Sequence, residues 1–576
     1  MGKASTRVAL WRKRVVQRFA READARRLTV QRWQRQWQRT LLLAMFVGII
    51  VGLAVAVFDY VTAEVVAEWV DHLPNAARMI APGFGLLGAM LALRYLGNRA
   101  SPSNSDVYVQ NYHSRAPFPY KPVPARMLAA ALTLGSGVPL GYEGPSVYLG
   151  AAIGAKVQDR FHRMFSTRDS KLLMTAGTAA AVAAIFKAPA TGALFAIEVP
   201  YRDDSSGRSV LPALIAAAAS YLTFIALNGS QALLPLFTAS SVTTPDLGAA
   251  ALVGLLSGLG ARLFAMTALA AKHTALHIRW RYRVVIASVG IAAIAAISLS
   301  LTDEFLTLGA GYNTIRWATN TDVGVGLVVA IFAFRWSATL LALSGGGVGG
   351  VFVSLAALGA LLGRSVSGML NESSTSTLLP LVGMAAFLGA GYRTPIAAVM
   401  FVAETTTRAD FVVPGIIATA LAQLVMGPAS IAPDQRSRRA GAVERRLRLP
   451  VTAAISRDAL TVPSATSIDD YLRDFLPSAG SDVVPVVDDG VYLGVMTPQS
   501  LENVDKGMRA VTTVNDTLRV DVTPAALTWN LRKTVQAMER SGLDRIPVVD
   551  GERYVGIIDM RDIVRVSEMM LNSDAR

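Results

Sequence analysis

Residues 177–198 read GTAAAVAAIFKAPATGALFAIE, and residues 383–404 read GMAAFLGAGYRTPIAAVMFVAE. Laid on one another at an offset of 206 residues, they superpose Gly177 on Gly383, Lys187 on Arg393, Pro189 on Pro395, Phe195 on Phe401 and Glu198 on Glu404. Sequence rich in Ala and Gly supplies one or two such identities by chance. A glycine, a proline, an aromatic and a carboxylate sharing one offset instead mark an internal duplication. Carried upstream, the same register lays Gly141 on Gly347, Gly144 on Gly350 and Leu149 on Leu355. Two related halves, each apolar and each broken by Gly and Pro, are what a membrane transport protein with its site between the repeats requires. The relative orientation of the halves is not written in the sequence.

The surroundings fit that reading. Of 576 residues, 52% are hydrophobic and 17% charged, whereas soluble chains carry about 25% charge. Apolar runs recur at 41–57, 81–96, 211–227, 249–271, 284–299 and 323–343. Others, at 147–157 and 351–362, are too short to cross a hydrocarbon core of about 30 Å. Broken helices at membrane depth must surround a polar cavity, because only protein or water can satisfy their backbone. The chain has no cysteine, which removes disulfides, thiolate metal sites, iron–sulfur clusters and cysteine nucleophiles together.

The net charge of +14 is concentrated in two places. Residues 1–39 hold twelve Lys or Arg against Glu22 and Asp24, and residues 435–448 hold six Arg against Glu444. Both flank the apolar region, so the positive-inside rule places them in the cytoplasm. With Trp11, Trp33 and Trp37 among its arginines, the N-terminal segment reads as a helix on the inner membrane surface; a solvated basic tail is the alternative. No recognition fold surrounds either patch, so nucleic acid is not an expected partner. The organisation expected is a basic segment at 1–39, a membrane domain at 40–430 with repeats at about 40–230 and 245–430, and a basic linker at 431–450. Two α/β modules follow at 451–506 and 511–570. VVPVVDDGVYLGV from Val483 and RIPVVDGERYVGI from Arg545 each give strand, turn and strand.

Residues 141–146 read GYEGPS. Glycines let the backbone approach a ligand, Pro145 suits a first helical turn, and free N–H groups there attract an anion. Glu143 can occupy that anion position itself and leave it on protonation, which makes a gate. The plainer reading is a helix-capping glutamate. Residues 345–354, GGGVGGVFVS, aim a second set of amides at the same centre; the alternative is glycine for close helix packing. Glu198 and Glu404 read as paired structural carboxylates. Lys187 and Arg393 either concentrate anions or snorkel to an interface. His273 and His277 share a helical spacing, but no HExxH motif and no third ligand accompany them, so no metal site is expected. No nucleophile elbow, Walker loop or dinucleotide fingerprint occurs, which leaves no catalytic candidate.

From about residue 40 onward the chain resembles the CLC family of chloride channels and chloride/proton antiporters, with a tail resembling tandem CBS modules. The resemblance implies a polytopic all-α membrane domain of two inverted repeats of tilted and partial helices, followed by a soluble α/β pair. It implies a homodimer in the lipid bilayer of the cell's inner membrane, with both termini cytoplasmic, chloride or another small anion as cargo, and no required cofactor. GYEGP is similar to the family's G-R/K-E-G-P motif, making Glu143 the gating glutamate and placing Gly141, Tyr142, Gly144 and Pro145 at the anion. GVFVS is similar to G-x-F-x-P, so Gly350, Val351 and Phe352 contribute backbone to the central anion site. Pro145 points to the chloride and nitrate branch rather than to fluoride.

Departures from the family pattern sharpen the expectation. The anion-contacting serine of G-S-G-I-P falls near ASPSNSD, with Ser103 matched and Ser101 and Ser105 competing. Ala432 stands where members carry an inner pore tyrosine, which widens the inner constriction, and Val199 stands where antiporters carry an internal proton-transfer glutamate. Valine cannot carry a proton, which favours a passive chloride channel gated by Glu143. The alternative is a chloride/proton antiporter, with protons delivered by water or another carboxylate. In the tail, Asp562 keeps the aspartate that CBS modules offer to a nucleotide ribose, whereas the first module has Ser500. Adenine nucleotide is thus an expected ligand there, against a dimerisation module without one. A CBS-regulated divalent-cation transporter is the rival of another class, but few acids lie at the centre of residues 41–426 to hold a hard cation.

Overall fold

The computed structural model describes residues 37–573 apart from 103–104, 115, 166–170, 206, 236–241, 321–322, 371–376, 438–446, 448, 480 and 503. The basic segment expected at 1–39 and much of the basic linker fall outside the described residues, as does Ser103. The chain divides into a helical unit that ends at Arg438 and a second unit that begins at Arg439.

Single turns aside, the described helices of the first unit form two sets of eight. The first set is α1 (Trp37–Asp71), α2 (Asn75–Leu96), α3 (Ser105–His113), α4 (Val123–Gly135), α5 (Glu143–Arg160), α6 (Leu172–Ile185), α7 (Pro189–Glu198) and α8 (Val210–Asn228). The second is α9 (Thr244–Leu276), α10 (Trp280–Thr302), α11 (Tyr312–Asn320), α12 (Val325–Gly345), α13 (Phe352–Met369), α14 (Leu378–Tyr392), α15 (Pro395–Thr406) and α16 (Val412–Met426). Seven of them, α1, α2, α8, α9, α10, α12 and α13, are long and apolar enough to cross a membrane, and the protein is an integral membrane protein. The run at 147–157 proves to be the inner part of the 18-residue helix α5, and the run at 351–362 the cap and first turns of the 18-residue helix α13. Their remaining turns carry Gln158, Asp159, Arg160 and Arg364, which is where a hydropathy reading stops.

At the centre of each set lies a helix too short to span. α6 has 14 residues and α14 has 15, every one of them buried, and at 1.5 Å per residue they are only about 21 and 23 Å long. A helix apolar on all sides needs protein all around it. Glycines set how closely that protein comes. A Cβ on Gly177 would stand 2.1 Å from the Gly150 carbonyl oxygen, and one on Gly383 2.1 Å from that of Gly359. Gly154 meets the Leu173 backbone and Gly363 that of Leu379 in the same way.

These contacts correct the upstream register. Gly177 corresponds to Gly383, but its packing partner Gly150 corresponds to Gly359, three residues further than a constant offset allows. The link from α13 to α14 is that much shorter than the link from α5 to α6. Gly141 therefore matches Gly350 rather than Gly347, and Glu143 matches Phe352.

Relative orientation follows from two carboxylates. Glu404, near the end of α15, accepts from the Ala190 and Thr191 amides at the start of α7, at 2.9 and 2.8 Å, and from Thr191 Oγ1 at 2.6 Å. Glu198, at the end of α7, accepts from the Ala397 amide at the start of α15, at 3.2 Å. Each helix thus ends where the other begins, so repeat-equivalent helices run antiparallel and the halves are inverted. Lys187 and Arg393 are equivalent too. Both turn the chain in the left-handed region, at φ of 53° and 56°. Lys187 Nζ donates to the Asn228 carbonyl at the end of α8, and Arg393 donates to the Gly427 carbonyl beyond α16. Their charges tie down carbonyl ends of helices.

The second unit holds a five-stranded sheet: β1 (Val484–Asp488), β2 (Val491–Met496), β3 (Ala525–Ala526), β4 (Arg545–Asp550) and β5 (Arg553–Asp559), in the order β1-β2-β5-β4-β3. The hairpins β1–β2 and β4–β5 carry the same irregularity, between Val486 and Val487 and between Val548 and Val549. A shared fault in register is the mark of a duplicated module.

Candidate functional site

Two helix starts meet at the middle of the first unit. Gly141 and Gly350 exchange both backbone hydrogen bonds at 2.8 Å, as an isolated antiparallel bridge. That bridge lays the first turn of α5 beside the first turn of α13, so two sets of unsatisfied amides and two positive helix ends converge. A Cβ on Gly144 would stand 2.8 Å from the Gly350 nitrogen, so the approach requires glycine there. Pro145 sits in the first turn of α5 as expected.

Glu143, the first residue of α5, is 1% exposed. Its Oε1 accepts from the Phe352 amide at 2.5 Å, while Oε2 has no hydrogen-bond partner. The carboxylate fills the space left by absent side chains: a Cβ on Gly350 would stand 2.0 Å from Oε1, and one on Gly141 2.1 Å from Oε2. Of the three amides expected to hold an anion, that of Gly350 is taken by the Gly141 carbonyl and that of Phe352 by Glu143. Tyr142, where family members carry a basic residue, caps α5 with its carbonyl and sets its ring edge against Phe58.

One side of this centre opens into a cavity of about 710 Å³, lined among others by Ser101, Ser105, Gly350, Val351, Tyr392 and Ile431. Its walls also carry Lys272, His273 and Arg283 against Asp106, with Lys272 Nζ 3.3 Å from Asp106 Oδ2. The balance is positive, which suits an anion. His273 and His277 stack edge to face at 5.2 Å between centroids, and no metal-binding cluster occurs among the described residues.

Of the remaining sequence positions, Val199 and Ala432 are both 2% exposed and are linked by one buried side chain. Gln435 Nε2 donates to the carbonyls of Val199 and Tyr392, each at 2.8 Å, and Gln435 Oε1 accepts from Ser430 Oγ, which in turn accepts from the Ala432 amide. Beside Val199, His113 places Nε2 2.7 Å from the Pro200 carbonyl oxygen, with Tyr112 and Tyr201 against its ring. In the second unit, Ser500 closes a capping box with Thr497, and Asp562 pairs with Arg565.

Two residues of the centre escaped the sequence reading. Tyr392 is one. Arg335 is the other: fully buried, it donates to the carbonyls of Leu308 and Gly309 at 3.1 and 2.7 Å and to Ser354 Oγ at 3.4 Å, with Nε unpartnered. It puts a positive charge beside the first turn of α13. The signal was a lone arginine inside the apolar stretch 325–345.

Inverted repeats whose broken helices meet amino end to amino end around a carboxylate define a membrane transport protein with its site at the repeat interface. Comparison with known proteins gives the family. The chain matches the family described as voltage gated chloride channel over residues 84–427, and the CBS domain over residues 514–568. It belongs to the CLC family, with a C-terminal CBS region. The H(+)/Cl(-) exchange transporter ClcA of Vibrio vulnificus is 29% identical over 382 residues, 62% of this chain and 79% of that protein. The transporter of the same name from Cronobacter sakazakii is 30% identical over 319 residues, 54% of this chain and 68% of its own length. Among solved structures, a CLC-type fluoride/proton antiporter superposes with a TM-score of 0.60 at 24% identity, covering 70% of this chain and 98% of that one. A eukaryotic CLC transporter reaches 0.58 at 16% identity, covering 91% and 98%.

Proposed function

We propose that this protein exchanges chloride for protons across the membrane, with Glu143 as the group that both ions contest. The channel reading drawn from Val199 gives way because relatives that share more than two thirds of their length with this chain are named as exchangers. The observation that carries the reading is the single hydrogen bond from the Phe352 amide to Glu143 Oε1. A carboxylate and a chloride ion compete for that amide, and a proton removes the charge that lets the carboxylate win. With Oε2 unpartnered, departure breaks one contact. His113 supports the reading as well, since it sets a titratable group one residue from Val199.

The same proposal takes the protein as a homodimer in the inner membrane with its CBS region in the cytoplasm, binding adenine nucleotide through Asp562. Glu143→Gln tests the central assignment, because the amide side chain imitates the protonated acid permanently. Chloride efflux from liposomes carrying this variant is expected to lose its dependence on pH. Acid activation equal to that of the wild-type protein would refute the assignment.

A further inference from the structure

A second cavity, of about 730 Å³, opens where the turn after α2 meets the start of α4, with Leu96, Asn98, Tyr120, Lys121 and Arg126 among the residues of its wall. The two elements approach closely because Gly97 has no side chain: a Cβ there would stand 3.2 Å from that of Ala125. Arg126 is 6% exposed. Its Nε donates to the Ser101 carbonyl at 3.1 Å and its guanidinium lies 4.8 Å over the Tyr148 ring, but Nη1 has no hydrogen-bond partner. Among the described residues, no Asp or Glu lines the cavity or stands in the first turn of α4, so the positive end of that helix adds to the charge of Arg126 and Lys121. Asp159, on α5, accepts from the Tyr120 hydroxyl at 2.5 Å, and Lys156 lies 4.9 Å over the same ring.

A buried guanidinium with an unmet donor is costly, and an anion that accepts from it offsets that cost. Phosphate suits the place best, since guanidinium and ammonium groups are its usual partners and a helix start favours it further. The position in the membrane says where the phosphate comes from. α1 and α2 are each long and apolar enough to cross, so the turn after α2 lies at the membrane face where α1 begins. Leu91, Tyr95 and Leu96 are exposed along the last turns of α2, which leaves an apolar surface leading from lipid to the mouth of the cavity. We propose that this cavity binds an anionic phospholipid of that leaflet, its phosphate on Arg126 and Lys121 and its acyl chains along the exposed side of α2. Arg126 also holds the Ser101 carbonyl, and Ser101 lines the anion cavity, so the lipid sits one side chain away from the transport path. The proposal goes beyond the exchange reading and does not rest on it.

The test is native mass spectrometry of the full-length protein in detergent, with phosphatidylglycerol, phosphatidylcholine or inorganic phosphate added separately. Wild-type protein is expected to retain phosphatidylglycerol in preference to phosphatidylcholine. Arg126→Gln is expected to bind phosphatidylglycerol about tenfold more weakly, the weight of one hydrogen bond between charged groups. Lys121 is exposed, so Lys121→Gln leaves the packing intact and keeps the test open should the first variant fail to fold; it is expected to weaken binding about fivefold. Retention of inorganic phosphate instead of lipid, reduced by the same substitutions, would keep the phosphate site and place its source in solution. Equal retention of the two lipids with no retention of phosphate, or phosphatidylglycerol binding by the variants that matches wild type, overturns the proposal.

Discussion

Glu143 reaches the Phe352 amide only because Gly141 and Gly350 carry no side chain. A methyl group on Gly350 would overlap Oε1 at 2.0 Å, and the carboxylate is the movable partner, held by one hydrogen bond against a backbone bridge held by two. Gly350→Ala is therefore expected to evict the carboxylate without unfolding the helices, and chloride efflux should lose its acid dependence as in Glu143→Gln. Efflux with wild-type pH dependence would show that the backbone gives way instead. This part of the site was legible because glycine, proline and glutamate in an apolar chain are each costly and so stand out. Tyr392 was not legible: a tyrosine among buried aromatics looks like core, and only the fold puts it in the wall of the cavity that Gly350 and Val351 also line. Arg335 could have been found by the rule applied to the glutamates, that a charge inside an apolar helix needs a reason.

At the scale of elements, the duplication was readable where the helices carry costly residues and misread where only glycines marked them. Pro189, Glu198 and their equivalents fix α7 on α15, but an Ala- and Gly-rich run slides easily by three residues, as happened for α5 on α13. Inversion lay beyond the sequence because antiparallel capping is a contact between halves. That capping has a measurable weight. Glu404 satisfies two amides and a hydroxyl at the start of α7, and leaving buried donors unmet costs about 1–3 kcal/mol each before relaxation. Glu404→Ala is expected to destabilise the membrane unit by about 3 kcal/mol, and Glu198→Ala, with its longer bond of 3.2 Å, by less. Unfolding of the detergent-solubilised protein by denaturant checks the order, and equal midpoints for Glu404→Ala and wild type would contradict it.

The whole molecule joins a transport unit to a CBS region, and the second unit repeats its own hairpin as the first repeats its helices. Equilibrium dialysis of the full-length protein with labelled ATP or AMP is expected to show retention that Asp562→Ala abolishes; retention unaffected by that change, or none at all, would remove the nucleotide proposal. For the molecule as a transporter, the claim that matters is that chloride and protons share one path through Glu143. It is tested most directly in liposomes loaded with chloride, diluted into low-chloride buffer with a potassium ionophore holding the voltage at zero, while external pH is recorded. Outward chloride flow that pulls protons inward against their own gradient is the predicted result. Chloride efflux with no proton movement would contradict exchange and return the protein to a passive pore with Glu143 as its gate.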